Sequence, residues 1–449
     1  MRPALLALAL VLAMPMAQAD ESVLTLEDAK QQALRHNPEL ESDYQNIGLA
    51  QSSLSMARSN YLPSIEANVT AAGSDGYGRR DGTPGGALDP RLAAGAINAP
   101  SVYDRAAAGI VISQKLTDFG HTGHLVDSAR AALSSEQDRY EDRRQQLLLR
   151  VTADYFSARE AQSALQVAKK VMNERSQLYD QISLLQKNKL KSELDVSFAG
   201  VSLDQARLLI LQEQNAVDGA MGQLCSDIGI AASDNLLLAD DGTSDQAPPG
   251  ELAPLLEQAR HNRPELKSLR EGLDAARANA RAQSELGNPT LSLVGAAGTV
   301  PYGDARLPEN YIAGAVNLSI PLFEGGRLRA QASAAALQAQ QAADALATAQ
   351  LALSRDVRVA WLNARAIYRS IEVSRRLRST AESALELATS RYHLGLSSIV
   401  ELNRAQLNEM DAEISYVKAL YQYQISAAQL SYQIGGRADA VADSAGGGA

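Results

Sequence analysis

The chain repeats itself in register. Residues 114–229 align with residues 320–435 at a constant offset of 206 residues, and neither copy contains an insertion. The clearest matching pairs are Val151 and Val357, Ala158 and Ala364, Ser192 and Ser398, Asp195 and Glu401, and Gly229 and Gly435. Repetition at a fixed offset over so long a stretch indicates one supersecondary unit that is used twice.

The beginning of the unit is also repeated, at a different offset. Residues 38–40 and Pro63 match residues 264–266 and Pro289 at an offset of 226 residues. The change from 226 to 206 requires about twenty additional residues in the first copy. These residues fall between 73 and 103, in a stretch rich in Gly, Pro, Asp and Arg, so we expect a surface loop there.

The N-terminus has the pattern of a secretory signal peptide. Residues 1–19 contain one Arg, an apolar run and a final small-x-small sequence. We expect the mature chain to begin at Asp20, to leave the cytoplasm and to lack a lipid anchor, because no Cys lies near that junction. No later stretch approaches eighteen consecutive apolar residues, which argues against a transmembrane helix. Cys225 is the only cysteine, so we predict a small buried residue and no disulfide.

Charge and composition narrow the functional classes. The net charge is -10, and no block of Lys and Arg stands out, which argues against nucleic-acid binding. The chain is rich in Ala, Leu, Gln and Ser, and only 4% of its residues are aromatic. This composition favours long packed helices over an ordinary globular core.

The positions of proline show which segments can form those long helices. All 15 prolines lie outside residues 101–247 and 322–449, and a proline in a helix interior costs about 3 kcal/mol. Uninterrupted helical patterns extend over 125–185 and 328–394. At 1.5 Å per residue, each helix would be roughly 90–100 Å long. Apolar and small residues recur at spacings of three and four within both, which predicts packing of coiled-coil type.

Four shorter segments alternate between apolar and polar residues. They are residues 64–71, 108–113, 290–295 and 312–320. Period-two alternation over about 10 residues is typical of a tilted transmembrane β-strand. Four strands cannot close a barrel, and an open sheet edge is not tolerated in lipid, so the chain is expected to oligomerise. Two copies would give eight strands, and three would give twelve, enough to leave a lumen.

The sequence therefore divides into five parts. Residues 1–19 are the expected signal peptide and 20–230 the first repeat, with a helix, a β-hairpin and a long helical hairpin. Residues 231–250, rich in Asp, Gly and Pro, form the linker to the second repeat, 251–436. The small polar residues 437–449 are expected to be a disordered tail.

The order of several short motifs adds a family resemblance. The chain has Leu-Thr-Leu-Glu-Asp-Ala at 24–29, Arg-His-Asn-Pro-Glu-Leu at 35–40 and Ile-Pro-Leu-Phe-Glu-Gly-Gly-Arg at 320–327. Arg391 and Tyr392 are followed by Gly395, Ser398 and Glu401. With the signal peptide, the paired hairpins and the double copy, this pattern resembles the TolC-type outer-membrane efflux protein family over essentially the whole mature chain.

The resemblance implies an α+β membrane protein. Three chains would form a twelve-stranded transmembrane β-barrel, with four strands from each protomer, continued by a long α-helical barrel in the periplasm. Such homotrimers sit among outer-membrane lipids of Gram-negative bacteria. They dock to a periplasmic adaptor (membrane fusion) protein and to an inner-membrane transporter of the RND, ABC or MFS type.

The resemblance also implies a periplasmic gate formed by a polar network between helices. The positions that match it are Asp195, Tyr392 and Glu401. We expect a hydrogen bond from the Tyr392 phenol to the Asp195 carboxylate across neighbouring helices, and a ring of three Glu401 carboxylates at the constriction. Arg404 stands where some relatives carry a second acid, and Ser397 where some carry a locking Arg.

The turns between the long helices are the expected docking tips, near 187–192 and 394–398. Lys189 replaces the Gly that the family has in the first tip, which affects how an adaptor would fit. The candidate docking residues are Lys189, Leu190, Ser192, Gly395, Leu396 and Ser398.

The sequence gives little support for metal binding, cofactor binding or catalysis. His121 and His124 are three residues apart but lack further ligands, so we expect neither a metal nor a cofactor. No phosphate-binding loop or nucleophile motif is present, which argues against an envelope enzyme. The leading interpretation is a passive exit duct for drugs, toxic compounds or metal ions. The alternatives are the channel of a type I protein secretion system and, in a different class, a periplasmic coiled-coil adaptor or structural protein.

Overall fold

The computed structural model describes residues 23–72, 105–231, 236–239, 246–302 and 309–436. The expected signal peptide, the additional loop of the first repeat and the C-terminal tail lie outside the described residues. The helices are α1 Leu26–His36, α2 Pro38–Ser59, α3 His121–Lys187, α4 Glu193–Ile228, α5 Ala253–Asn262, α6 Pro264–Ser284, α7 Arg327–His393 and α8 Ile399–Gln433. The strands are β1 Val23–Leu24, β2 Ser64–Ala72, β3 Arg105–Thr117, β4 Leu237–Leu238, β5 Thr290–Tyr302 and β6 Asn310–Ser319.

The helix boundaries repeat with the sequence. Helices α3 and α7 contain 67 residues each, and α7 begins and ends 206 residues after α3. Helix α8 also begins 206 residues after α4. The two long helices predicted from the absence of proline are thus confirmed, with each starting slightly earlier than its pattern suggested. No helix in the described part of the chain has an apolar stretch sufficient to cross a bilayer.

The chain folds into two compact units that do not follow the repeats. Of the described residues, the first unit takes those up to 42, from 143 to 263 and from 353 onward, and the second takes those from 43 to 142 and from 264 to 352. Each unit therefore takes residues from both copies of the sequence.

The second unit contains a four-stranded antiparallel sheet in the order β2-β3-β5-β6. The four strands predicted from alternation are confirmed. Each repeat supplies one hairpin, and β3 pairs with β5 to join the two. β2 and β6 are the edge strands, and no described strand pairs with the outer side of either. Their apolar side chains face outward, with Val69 84% and Ile312 89% exposed, so no part of the chain that the structure describes covers the outer edges or this face.

The core of the first unit is built on the stripe of small and apolar residues predicted in α3 and α7. Val151 and Val357, a matched pair in the repeat, are both fully buried. Tyr155 is buried as predicted, and its hydroxyl donates to Leu24 O at 3.3 Å and to Ala239 O at 3.0 Å. These contacts hold β1 and β4, which pair in parallel. The linker between the repeats thus contains a short strand that no sequence pattern indicated.

Candidate functional site at the hairpin tips

The turn after α3 ends the first long hairpin. Lys189 N donates to Gln186 O at 2.8 Å, and Leu190 N donates to Leu185 O at 2.9 Å. Lys189 has a φ of 61°, in the left-handed region. These two hydrogen bonds and the left-handed residue define a Schellman motif, which closes the carbonyl end of a helix.

The turn after α7 has the same geometry. Gly395 N donates to Tyr392 O at 3.1 Å, and Leu396 N donates to Arg391 O at 2.8 Å. Gly395 has a φ of 73°. A side chain in this conformation costs roughly 1–2 kcal/mol, which Gly avoids. The first tip therefore carries strain at Lys189 that the second tip does not have.

The helices that leave the two turns begin with serine caps. Ser192 Oγ accepts from Asp195 N at 3.1 Å, and Asp195 Oδ2 accepts from Ser192 N at 3.1 Å, which completes a capping box at the start of α4. Ser398 Oγ accepts from Glu401 N at 3.3 Å at the start of α8. In the described structure this second cap is not a full capping box, because the Glu401 carboxylate does not accept from Ser398 N.

The Glu401 carboxylate instead pairs with the preceding helix. Arg391 Nε lies 3.3 Å from Glu401 Oε1, and the Arg391 guanidinium also donates to Leu396 O at 3.4 Å. Both side chains of the ion pair are about half exposed, so solvent screens the attraction. The first repeat has Leu185 at the position of Arg391, which explains why only the second tip forms this clamp.

An apolar cluster joins the two tips within the first unit. Its buried members come from all four long helices and are Ile182, Ala199, Ala388, Tyr392, Ile399 and Leu402. Tyr392 is only 4% exposed, and its hydroxyl is buried without a hydrogen-bond partner. Lys191 Nζ lies 4.0 Å from the centroid of the Tyr392 ring, a cation–π contact from the first tip to the second.

The structure brings the gate candidates to the same region without joining them. Within one chain the expected hydrogen bond between Asp195 and Tyr392 is not formed, because the capping box holds the Asp195 carboxylate. A bond between neighbouring chains stays a prediction. Arg404 is exposed one turn beyond Glu401, and within the described ranges it has neither an ion pair nor a hydrogen bond.

Each of the two turns that carry the docking candidates has one exposed apolar side chain. Leu190 is 70% exposed and Leu396 is 66% exposed, and each directly follows the left-handed residue of its turn. Lys189, Ser192, Gly395 and Ser398 are exposed beside them. An apolar side chain raised on a tight turn suits a shallow apolar depression on a partner protein.

The histidine pair lies in the second unit and is already engaged. His121 Nδ1 contacts Ala282 O at 2.8 Å, and His124 Nδ1 contacts Glu285 Oε2 at 2.8 Å. No group of three or more His, Cys, Asp or Glu side chains suited to a metal is found among the described residues. These contacts engage both histidines as hydrogen-bonding residues within the second unit.

Sequence patterns missed the roles of Arg391 and Lys191. The family motif contains Arg391 but does not indicate its contacts, and no sequence pattern marks Lys191. A comparison of the two copies offers the signal, because Arg391 replaces Leu185 and Lys191 replaces Ser397. Such unequal positions mark where one tip has a polar contact that the other lacks.

Comparison with known proteins points to one family. The model of the family described as "Outer membrane efflux protein" matches residues 29–229 and 255–436. Protein CyaE of Bordetella pertussis is 27% identical over 412 residues, covering 90% of this chain and 81% of that protein. Outer membrane protein TolC of Salmonella enteritidis is 24% identical over 420 residues, covering 90% of this chain and 80% of its own length.

A solved structure shares the fold. The outer membrane protein VceC of Vibrio cholerae superposes with a TM-score of 0.76 at 17% identity, covering 92% of this chain and 96% of that one. At this identity the similarity concerns the arrangement of helices and strands.

Proposed function

The chain belongs to the outer membrane efflux protein family, and on this basis we propose that it is the exit duct of a tripartite efflux system. It is an outer-membrane protein that extends into the periplasm. In the proposed system, an inner-membrane pump and a periplasmic adaptor deliver small molecules, and this protein conducts them passively out of the cell. Its family consists of channels, so no catalytic step is assigned to it.

The observation that carries the proposal is the sheet with two open edges. β2 and β6 present unpaired backbone groups, and the apolar side chains of both strands are exposed. In a bilayer such edges must be paired, because lipid offers no hydrogen bonds. Two chains would give eight strands and a barrel filled by side chains, whereas three would give twelve strands and a lumen. A duct needs a lumen, which favours the trimer that the family resemblance implies.

The gate is proposed at the hairpin tips. Tyr392 has a buried hydroxyl without a partner, and a buried polar group gains free energy when it finds one. In the closed trimer we propose that the tips rearrange, so that this hydroxyl, enclosed within the single chain, reaches the Asp195 carboxylate of a neighbouring protomer. Glu401, together with its two symmetry mates, would attract cations at the constriction.

The docking surface for the adaptor is proposed on the same turns. Leu190 and Leu396 would fit apolar depressions on the adaptor, and Lys189 would favour an acidic rim in the first site. The two sites are related by the repeat but differ in charge. We therefore expect them to accept the same fold of adaptor with unequal affinity.

The native mass of the detergent-extracted mature protein tests the assembly. We expect a particle of three protomers in outer-membrane fractions. A soluble monomer or dimer that needs no detergent would contradict the barrel and would favour a periplasmic adaptor or structural role.

A deletion strain tests the substrate class. Loss of the gene is expected to raise susceptibility to several antibiotics or metal ions while leaving the set of secreted proteins unchanged. The reverse result would assign the channel to protein secretion instead.

A further inference from the structure

The C-terminal end of α4 is held against α3 and the turn between α1 and α2, all within the first unit. Asp227, in the last turn of α4, accepts a hydrogen bond from Asn37 Nδ2 on its backbone carbonyl at 2.9 Å. Gly229 then ends the helix with a φ of 75°, and its backbone approaches His36 O so closely that a Cβ would lie 2.5 Å away. This junction fixes the return of the first long hairpin to the rest of its unit.

Two carboxyl groups meet at this junction. The Asp154 side chain on α3 lies within hydrogen-bonding reach of Asp227. The nearest cation is Arg150, one turn earlier on α3, whose Nε lies 3.5 Å from Asp227 Oδ2. Arg150 is shared with a third acid, because its other end lies 2.8 Å from Glu39 Oε2 on α2. Glu39 is exposed, whereas the Asp227 side chain is only 13% exposed. One guanidinium thus faces two enclosed carboxyls and one solvated carboxyl.

The hydrogen bonding at the pair is incomplete without a proton. Asp154 Oδ2 and Asp227 Oδ2 are both buried, and neither accepts a hydrogen bond. A buried carboxylate oxygen without a donor is costly, and two ionised carboxylates in contact also repel each other. A proton held between the two groups supplies the missing donor and removes the repulsion.

The second repeat has no carboxyl at either position of this enclosed pair, and its two acids at the junction, Asp356 and Glu265, stand at the positions of Arg150 and Glu39. The residues that the repeat places at the positions of Asn37, Asp154 and Asp227 are Arg263, Ala360 and Gln433. Arg263 donates to Gln433 Oε1, and its guanidinium lies 4.2 Å from the centroid of the Tyr432 ring. An arginine and an amide keep their protonation states over the whole working range of pH. The second junction therefore needs no proton.

We propose that Asp154 and Asp227 share one proton, and that this proton makes the junction of the first repeat a pH-sensitive joint that the second repeat lacks. Below neutral pH the pair ties the end of α4 to α3. When the proton leaves, two facing carboxylates push the same helices apart, and Arg150 screens only part of that repulsion. The site is a proton-binding site between helices, and it goes beyond the conducting role proposed above.

Burial raises the pKa of Asp154 to about 7, and the hydrogen bond and the charge of Asp227 act in the same direction, while Arg150 opposes them. The ordinary value for the group is 3.8, so the folded state holds the proton more tightly than the unfolded state. The stabilisation is therefore complete below the ordinary pKa and is lost as the pH rises through about 7.

Hydrogen exchange in the detergent-extracted full chain tests the proposal. Amides at the end of α4, in residues 222–230, are compared at pH 6 and pH 8 after correction for intrinsic exchange rates. Protection there is expected to fall about tenfold between these values. The corresponding segment of the second repeat, residues 428–436, is an internal control that should keep its protection.

Two variants sharpen the comparison. Asp154→Asn fixes an uncharged side chain at the pair, and Asp154→Ala introduces the residue of the second repeat. Either should abolish the difference between pH 6 and pH 8, whereas Asp218→Asn, at an exposed position on α4, should leave it intact.

The proposal is overturned if the two segments respond to pH alike, or if the pH response survives in the Asp154 variants. The comparison of the two segments in the unsubstituted protein requires no variant. It therefore decides the question even if neither substitution yields folded protein.

Discussion

The two hairpin tips use the same backbone and different side chains. Both turns end in a Schellman motif and both following helices begin at a serine cap. The first tip is closed locally by the capping box of Asp195, whereas the second uses Arg391 to hold Glu401 across the turn. The comparison shows that the turn geometry is fixed by the backbone. The charged side chains are then available to serve separate purposes in the two copies.

This division of roles fits a duct built from unequal repeats. In a trimer, the six tips would alternate between two types around the axis. Asp195 and Glu401 should respond differently when another protein binds the tips. Glu401 can leave Arg391 for a new ion-pair partner without unwinding α8, whereas Asp195 cannot leave its capping box without loosening the start of α4. The second tip is thus the better candidate for the moving part of the gate.

The largest loss of stability is expected at the matched glycines that follow α4 and α8, where the two repeats have the same residue. Gly229→Ala and Gly435→Ala each place a Cβ within 3 Å of backbone atoms at a left-handed residue. We expect each substitution to cost about 2–4 kcal/mol, measured by thermal unfolding of the extracted protein. Gly219→Ala is the control, because nothing lies within 4 Å of that position and a helix gains from alanine. Equal stability of all three variants would refute the shared capping role.

The two acids of the tips should differ in their structural cost. Asp195→Ala removes a capping box and is expected to destabilise the first tip by about 1 kcal/mol. Glu401→Ala removes an exposed ion pair and should cost less than about 0.5 kcal/mol. Hydrogen exchange of residues 185–197 and 391–403 measures both. A larger loss for Glu401→Ala would mean that the arginine clamp, rather than the cap, closes its turn.

Glu401 should matter more for conduction than it does for stability. Glu401→Ala is expected to weaken block of the pore by multivalent cations, because the proposed ring loses its charge. Single-channel conductance in planar bilayers measures this block, with Glu193→Ala as an exposed acidic control in the first tip. Unchanged block would remove Glu401 from the constriction.

Tyr392→Phe should change the stability of the tip in opposite directions in an isolated chain and in a closed trimer. In a single chain the substitution removes a buried hydroxyl without a partner and should stabilise the tip. If the hydroxyl bonds to Asp195 of a neighbour, the trimer instead loses about 1 kcal/mol and leaks more antibiotic. We expect the second result. Tyr179→Phe, in the same cluster, should change neither property.

A small stabilising effect is expected at Lys189. Lys189→Gly gives the first tip the residue of the second and relieves a left-handed side chain, with a gain of about 0.5–1 kcal/mol. Hydrogen exchange of residues 185–192 measures the gain. If the adaptor reads the charge of this tip, the same variant should bind it more weakly, which a binding assay with the purified adaptor would detect.

Much of the fold was predictable because it depends on local patterns. The absence of proline and the spacing of apolar residues predicted α3 and α7 to within a few residues, and alternation predicted the four long strands. β1 and β4 escaped prediction because two residues are too few to show a period, and their pairing depends on Tyr155, which is distant in sequence. The gate candidates were predicted to lie together, but their actual partners were not.

The sequence by itself determined the duplication, because the two copies align residue by residue. It also determined the lengths of the long helices and the turns between them, because these follow from residues a few positions apart. Only the tertiary structure decided that Asp154 faces Asp227, that Tyr392 is buried without a partner and that Lys191 covers its ring. These contacts join helices that are far apart along the chain. Their geometry depends on how whole helices pack, and a rotation of a helix by a fraction of a turn would break the contacts that its own side chains make.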